Sequence, residues 1–202
     1  MRSELEGRPS EARSRLLNTA TRIFYAEGIH AVGIDRIVAE AQVTRATLYR
    51  HFSGKEDLVL AYLDQVDRAT RAQADEAVAA GLPAADTIRA LSRSIAQGIG
   101  SPGFRGCAFL NAAAEYPDPE SPVHKAILAH RQWFLATVTH LLAGIRETGA
   151  GPAARHFVMM RDGAMATGCL FDPALVRETF LHGVDRLLEV YAATDYSGAA
   201  GA

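Results

Sequence analysis

Apolar residues along this chain recur at intervals of three and four, the spacing that lines one side of an α-helix. Leu16, Leu17, Ala20, Ile23 and Phe24 form the first such stripe, and Gly28 followed by Ile29 supplies a left-handed stop with its hydrophobic contact. Ile34, Ile37, Val38 and Ala41 predict a short second helix over about 33–41. Gln42 and Val43 make a turn, and Thr44 caps a third helix whose apolar pair is Leu48 and Phe52. From Lys55 a longer stripe through Leu58, Tyr62 and Val66 runs to about Ala80 and thins on the way, as expected of a connector between two bodies. Residues 81–83 break it, Ile88, Leu91, Ile95 and Ile99 mark a fifth helix, and three glycines with a proline make 100–106 a loop. A short helix over 107–116 precedes a long one opened by Ser121 and Pro122 and lined by Val123, Ile127, Phe134, Val138, Leu141 and Ile145. Residues 149–152 are expected to separate this helix from the stretch 153–171. Asp172 and Pro173 then open the last helix, with Val176, Phe180, Gly183, Leu187 and Tyr191 as its stripe. No alternating β-branched run exceeds a few positions, so the predicted fold is all-α.

The second and third helices, joined by a short turn, have the form of a helix-turn-helix, whose second helix enters the major groove. Projected at about 100° per residue, the third helix turns Leu48 and Phe52 inward and Ala46 and Arg50 outward, with Thr47 and Tyr49 on the flanks and Arg45 nearer the buried side. That outer face is small where a helix must approach DNA closely and carries donors where phosphates and base edges must be met. His51 sits at the margin of the buried face, where packing or a hydrogen bond is expected before base contact. Lys55, at the start of the fourth helix, is poorly placed for helix stability and well placed for an anion. The organisation read from the chain is a flexible arm over 1–10, a helix-turn-helix domain over 11–58, a second helical domain over 59–194, and a flexible tail over 195–202.

Composition narrows the function. With 49% hydrophobic and 22% charged residues in 202, the chain can bury a core, yet no apolar run reaches the roughly 20 residues of a bilayer span. The stretch "MRSELEGRPSEARSR" has no apolar export core, so a cytoplasmic location and no membrane partner are expected. A net charge of −2 argues against indiscriminate coating of nucleic acid, but residues 1–58 hold nine Lys/Arg against eight Asp/Glu and leave the excess acid to the rest. The two cysteines, Cys107 and Cys169, show no CxxC pattern and are expected as buried inert thiols, with a redox pair as the alternative. No His pair has zinc-helix spacing, and no nucleophile elbow or phosphate-cradling glycine motif occurs. No metal, cofactor or catalytic residue is therefore expected.

The stretch "IDRIVAEAQVTRATLYRHFSGKEDL" closely resembles the DNA-binding domain of TetR-family transcription regulators, through Leu48, Tyr49, His51, Phe52 and Lys55. The resemblance covers about 11–60 and implies that the helical domain over 59–194 is a ligand-binding and dimerisation domain. It implies a homodimeric repressor that binds near-palindromic double-stranded operator DNA and is released by a small-molecule effector. Thr44, Thr47, Tyr49, Arg50 and Lys55 are the implied DNA contacts, within a candidate surface that also holds Arg45, Ala46 and His51. Two positions depart from the family: Val32 and Gly33 stand where Thr or Ser is usual, leaving backbone N–H groups for phosphate, and Gln42 stands where Gly is usual, in a turn that would strain it. In the C-terminal half, Cys107, Phe109, Leu110, Asn111, His130, Trp133, Phe134 and Met159 are the candidate ligand-pocket residues. Gly163, Ala164 and Gly168, small enough for close helix approach, and Phe180, Val184, Leu187 and Tyr191, more than a thin helical domain can bury, are the candidate dimer interface. The alternatives are a thiol-based redox regulator on the same fold, and a small-molecule-binding protein or enzyme with an incidental helix-turn-helix.

Overall fold

The structure, a computed structural model, describes residues 10–193. Residues 1–9 and 194–202 lie outside the described residues, and with them nearly all of the arm expected over 1–10 and the whole of the tail expected over 195–202. Among those described there are nine helices and no strand: α1 Glu11–Glu27, α2 Ile34–Glu40, α3 Arg45–His51, α4 Lys55–Ala79, α5 Ala84–Ile99, α6 Ala108–Glu115, α7 Pro122–Ala143, α8 Ala150–Thr167 and α9 Pro173–Ala193. They divide into two compact units. One takes the chain up to Asp67 together with Ala108–Ile127; the other takes Arg68–Cys107 and the chain from Leu128.

In the first unit, α1, α2 and α3 pack on one another. Ser10 opens α1 by accepting the Arg13 N–H at 3.2 Å, and Gly28, at φ 93°, closes it with its N–H on the Phe24 carbonyl. Only a residue without a side chain takes that φ at little cost. Leu16, Ile23, Ile37, Leu48 and Leu58 reach zero exposure here, and Phe24 meets Tyr62 ring to ring at 5.9 Å. Each such side chain contributes about 1.5–3 kcal/mol by leaving water. Thr44 opens α3 as expected, accepting the Thr47 N–H at 3.1 Å.

The second unit buries Ile88, Leu91 and Ile99 of α5, Phe134 and Val138 of α7, Phe157 of α8 and Phe180 and Val184 of α9 in one cluster, with Phe157 and Phe180 edge to face at 6.1 Å. Gly168, just past α8, is the closest approach: a Cβ there would stand 2.6 Å from Ile99 Cγ2. One expected boundary moves. Residues 149–152 do not separate two helices throughout, because α8 already starts at Ala150, with Gly149 left-handed at φ 84° before it. Pro152 therefore sits in the first turn, where its missing N–H has no intrahelical partner to lose.

Candidate nucleic-acid interface

Helix α3 presents the predicted division of faces. Leu48 is fully buried and Phe52 nearly so, while Thr44, Arg45, Ala46 and Arg50 are exposed, Tyr49 is 53% exposed, and Thr47, His51 and Lys55 are half-buried. The group is thus one surface strip anchored from below by two apolar side chains. Its members are not equally free. The Thr44 hydroxyl is engaged as the helix cap and shares a 3.0 Å hydrogen bond with the Thr47 hydroxyl. Arg45 is held by Asp35 of α2, its Nε donating to Oδ1 at 2.5 Å, and this hydrogen bond first, then the carboxylate charge, raises its guanidinium above the ordinary range. His51 Nε2 lies 3.0 Å from Ser10 Oγ, a hydrogen bond that ties α3 to the start of α1. Arg50 makes no ion pair among the described residues. The Lys55 ammonium is pulled below its ordinary range by partial burial, with the Glu115 charge opposing.

Both departures from the family pattern have visible consequences. Gln42 adopts φ 54°, the left-handed conformation that its turn demands, as the only non-glycine residue at positive φ among those described. Val32 is buried, and Gly33 stands at the N-cap of α2 with no side-chain cap. The first-turn N–H groups of α2 are left for solvent or an anion.

A contact that no local pattern foretells joins the end of α6 to the turn after α1. Glu115, the last residue of α6, accepts the Ile29 N–H through Oε1 at 2.8 Å and the His30 N–H through Oε2 at 2.5 Å. One carboxylate thus clasps the main chain of the turn between α1 and α2. A Cβ at Gly28 would stand 3.4 Å from Oε1, an ordinary contact, so it is the φ of 93° and not space that calls for glycine there. The His30 ring lies tilted against the Tyr116 ring with centroids 4.9 Å apart, and His124 Nδ1 bonds the Tyr116 carbonyl at 2.8 Å. Burial first, then the Glu115 and Glu56 charges, push the Tyr116 phenol above its usual range.

The candidate ligand residues fall into different settings. In the first unit, Phe109 is buried, Leu110 half-buried and Asn111 exposed. In the second, Cys107, His130 and Phe134 are buried, and Trp133 is half-buried with its ring 5.6 Å from His130 and 6.1 Å from Phe134. Met159 is 71% exposed and walls nothing: Phe157, Val158 and Arg161 take the inward side of α8, leaving position 159 on the outer face. Cys169, expected to be buried, is exposed.

Sequence reasoning passed over Arg161. Only 8% of its side chain is exposed; its Nη1 lies 3.3 Å from Cys107 Sγ and 2.9 Å from Asp162 Oδ1, and its Cζ stands 5.3 Å from the Phe134 ring centre. Burial is the largest influence and works against the charged form. The Cys107 sulfur and the Asp162 carboxylate outweigh it and raise the guanidinium above its ordinary range. The available signal was position: 161 continues the buried series 153, 154, 157, 158 and 164 of α8.

The candidate dimer residues also divide. Ala164, Gly168, Phe180, Val184 and Tyr191 are buried within a single chain, because α5 supplies a third layer that the stripe on α9 alone does not reveal. Gly163 is exposed and Leu187 half-buried. What α8, α9 and their connection leave exposed is Met159, Leu170, Phe171, Leu175 and Val190, and α8 and α9 also line a groove of about 340 Å³ through Met160, Gly163, Thr167, Val176, Thr179 and Gly183.

Comparison with known proteins bears on this arrangement. The family description "bacterial regulatory proteins, tetR family" matches residues 16–62. The crystal structure of a TetR-family transcriptional regulator from Streptomyces coelicolor is 69% identical, covers 91% of this chain and 97% of its own, and superposes with a TM-score of 0.89. Among curated proteins, the transcriptional activator FasR of Mycolicibacterium smegmatis is 44% identical over 55 residues, 27% of this chain. That match spans 25% of FasR, so the likeness is confined to about a quarter of that protein's length. The transcriptional regulator LmrA of Bacillus subtilis is 25% identical over 126 residues, 61% of this chain and 67% of its own.

Proposed function

Since this chain belongs to the TetR family of transcriptional regulators, we propose that it is a homodimeric repressor that binds a near-palindromic operator and is released by a small molecule. The observation that carries the reading is the outer strip of α3: Ala46 and Tyr49 exposed, Arg50 without a protein partner among the described residues, and Leu48 and Phe52 rooted in the core beneath. A repressor needs two such strips at a fixed spacing. The exposed Leu170, Phe171 and Leu175, close together in the chain where α8 passes into α9, support pairing through that side, because scattered single apolar residues are ordinary whereas large ones exposed together mark an interaction surface.

Selection from random duplexes followed by gel shift tests the proposal. The expected product is an inverted repeat with half-site centres about 34–36 Å apart or somewhat more, bound with an affinity that falls steeply with salt. Arg50→Ala should cost roughly 1–3 kcal/mol and relax preference at one base position, whereas Lys55→Ala should weaken all duplexes alike and lower the salt slope by about one. Recovery of no inverted repeat, or binding indifferent to salt, would refute operator recognition.

A further inference from the structure

Asp162 is one carboxylate serving two guanidinium groups. Arg131 grips it through both terminal nitrogens, Nη1 to Oδ1 at 2.9 Å and Nη2 to Oδ2, while Arg161 reaches the same Oδ1 at 2.9 Å. Among the described residues no other carboxylate contacts Arg161. The cluster thus holds one positive charge more than it balances, and the surplus belongs to the more deeply buried partner, at 8% side-chain exposure against 21% for Arg131. A buried charge normally finds an opposite charge and fills its hydrogen-bonding positions. Arg161 has only a share of one carboxylate, which Arg131 holds with both terminal nitrogens, and it leaves a hydrogen-bonding position empty: its Nε–H is buried with no acceptor, and beyond Asp162 its Nη1 adds only a thiol sulfur at 3.3 Å. Around it lie apolar faces, with Phe134 against the guanidinium, Trp133 beside Phe134, and Arg71 stacked on Trp133 at 4.2 Å.

We propose that Arg161 is the anchor for an anionic effector, an amphipathic organic acid whose carboxylate supplies the missing charge and accepts the orphaned N–H while its apolar body lies along the Trp133 and Phe134 side of α7. The inference rests on the reading of the chain as an effector-responsive regulator. The planar fork of a guanidinium suits a carboxylate, and a buried position lets the charge discriminate. A neutral analogue of the same shape leaves the surplus charge as it was.

The test uses the full chain with octanoate and 3-phenylpropanoate as probes, each beside its neutral primary amide, followed by thermal shift and by the fluorescence of Trp133, the single tryptophan. The acids should raise the melting temperature and change the emission, with at least tenfold tighter binding than the amides. Arg161→Met should bring acid and amide to the same affinity, and Arg161→Lys, which keeps the charge and loses the fork, should fall between. Should Arg161→Met not fold, the wild-type comparison of acid with amide, together with Arg161→Lys, still decides. Equal binding of acids and amides, no response of the wild type to either acid, or an Arg161→Met protein that binds acids as well as wild type would overturn the inference. Gel shift on the selected operator keeps the two readings apart: a chain that binds operator yet ignores carboxylates loses only the anionic effector, whereas one that binds no duplex loses the regulatory function.

Discussion

Gln42 pays a conformational penalty at the turn of the DNA-reading motif, because an L side chain in the left-handed region crowds its own backbone by roughly 1 kcal/mol. Gln42→Gly removes the crowding, and part of the gain returns as greater freedom of the unfolded chain. The expected outcome is a net stabilisation of about 0.5 kcal/mol, seen in urea unfolding as a higher midpoint with an unchanged slope. This strain is legible through the resemblance to the family, in which glycine is usual at that turn position, and not from Gln42 itself. Arg161 is a different case. Its neighbours Asp162 and Gly163 suggest a polar step on the surface of α8, and only the register 157, 158, 161, 164 shows that the guanidinium points inward. The exposed face of α3 is readable from a single helix projection, but the Arg45–Asp35 pair is not: ten positions separate the partners, and no helical repeat relates them.

Secondary elements are largely predictable because each helix carries its own stripe and several carry their own cap. Ser121 Oγ accepting the Val123 N–H at 3.2 Å and Asp172 accepting the Ala174 N–H at 2.9 Å are both local events. Contacts between elements distant in the chain leave no such trace. Glu115 and the Ile29–His30 turn are more than eighty residues apart, and the partner groups are main-chain N–H, which every residue but proline owns. Glu115→Ala should therefore free the turn while leaving α1 and α2 themselves intact. A loss of about 1–2 kcal/mol is expected, near the low end for charge-assisted hydrogen bonds because the carboxylate is partly exposed. Glu115→Gln keeps one acceptor oxygen and should lose about half as much. Amide hydrogen exchange at Ile29 and His30 is the direct readout: protection unchanged in Glu115→Ala would contradict the clasp.

At the scale of the whole molecule, the apolar surface matters more than the apolar core. Phe180 and Val184 read from sequence as surplus, but the chain consumes them itself between α5 and α9, and the surplus lies further out, at Leu170, Phe171, Leu175 and Val190. Helical periodicity finds the buried stripe and cannot count how many layers will cover it. Leu175→Asp leaves the chain's own core untouched, since that side chain is 60% exposed. On the proposed pairing it places a charge in an apolar interface, and sedimentation should show monomers at concentrations where the wild type is dimeric. Operator affinity should fall with it, by far more than the loss of one contact, because two tethered half-sites become two independent ones. A dimeric, operator-binding Leu175→Asp protein would move the interface elsewhere.

The pair between Arg45 and Asp35 has a practical consequence for retargeting this regulator to a new half-site. A library that randomises only the outer positions of α3 will replace Arg45 in most clones and strand the Asp35 carboxylate on the surface meant to face phosphate. Such clones would read as failures of base recognition when the fault is like-charge repulsion. Varying position 35 together with position 45 treats the two as one coding unit, and the fraction of functional clones should rise accordingly.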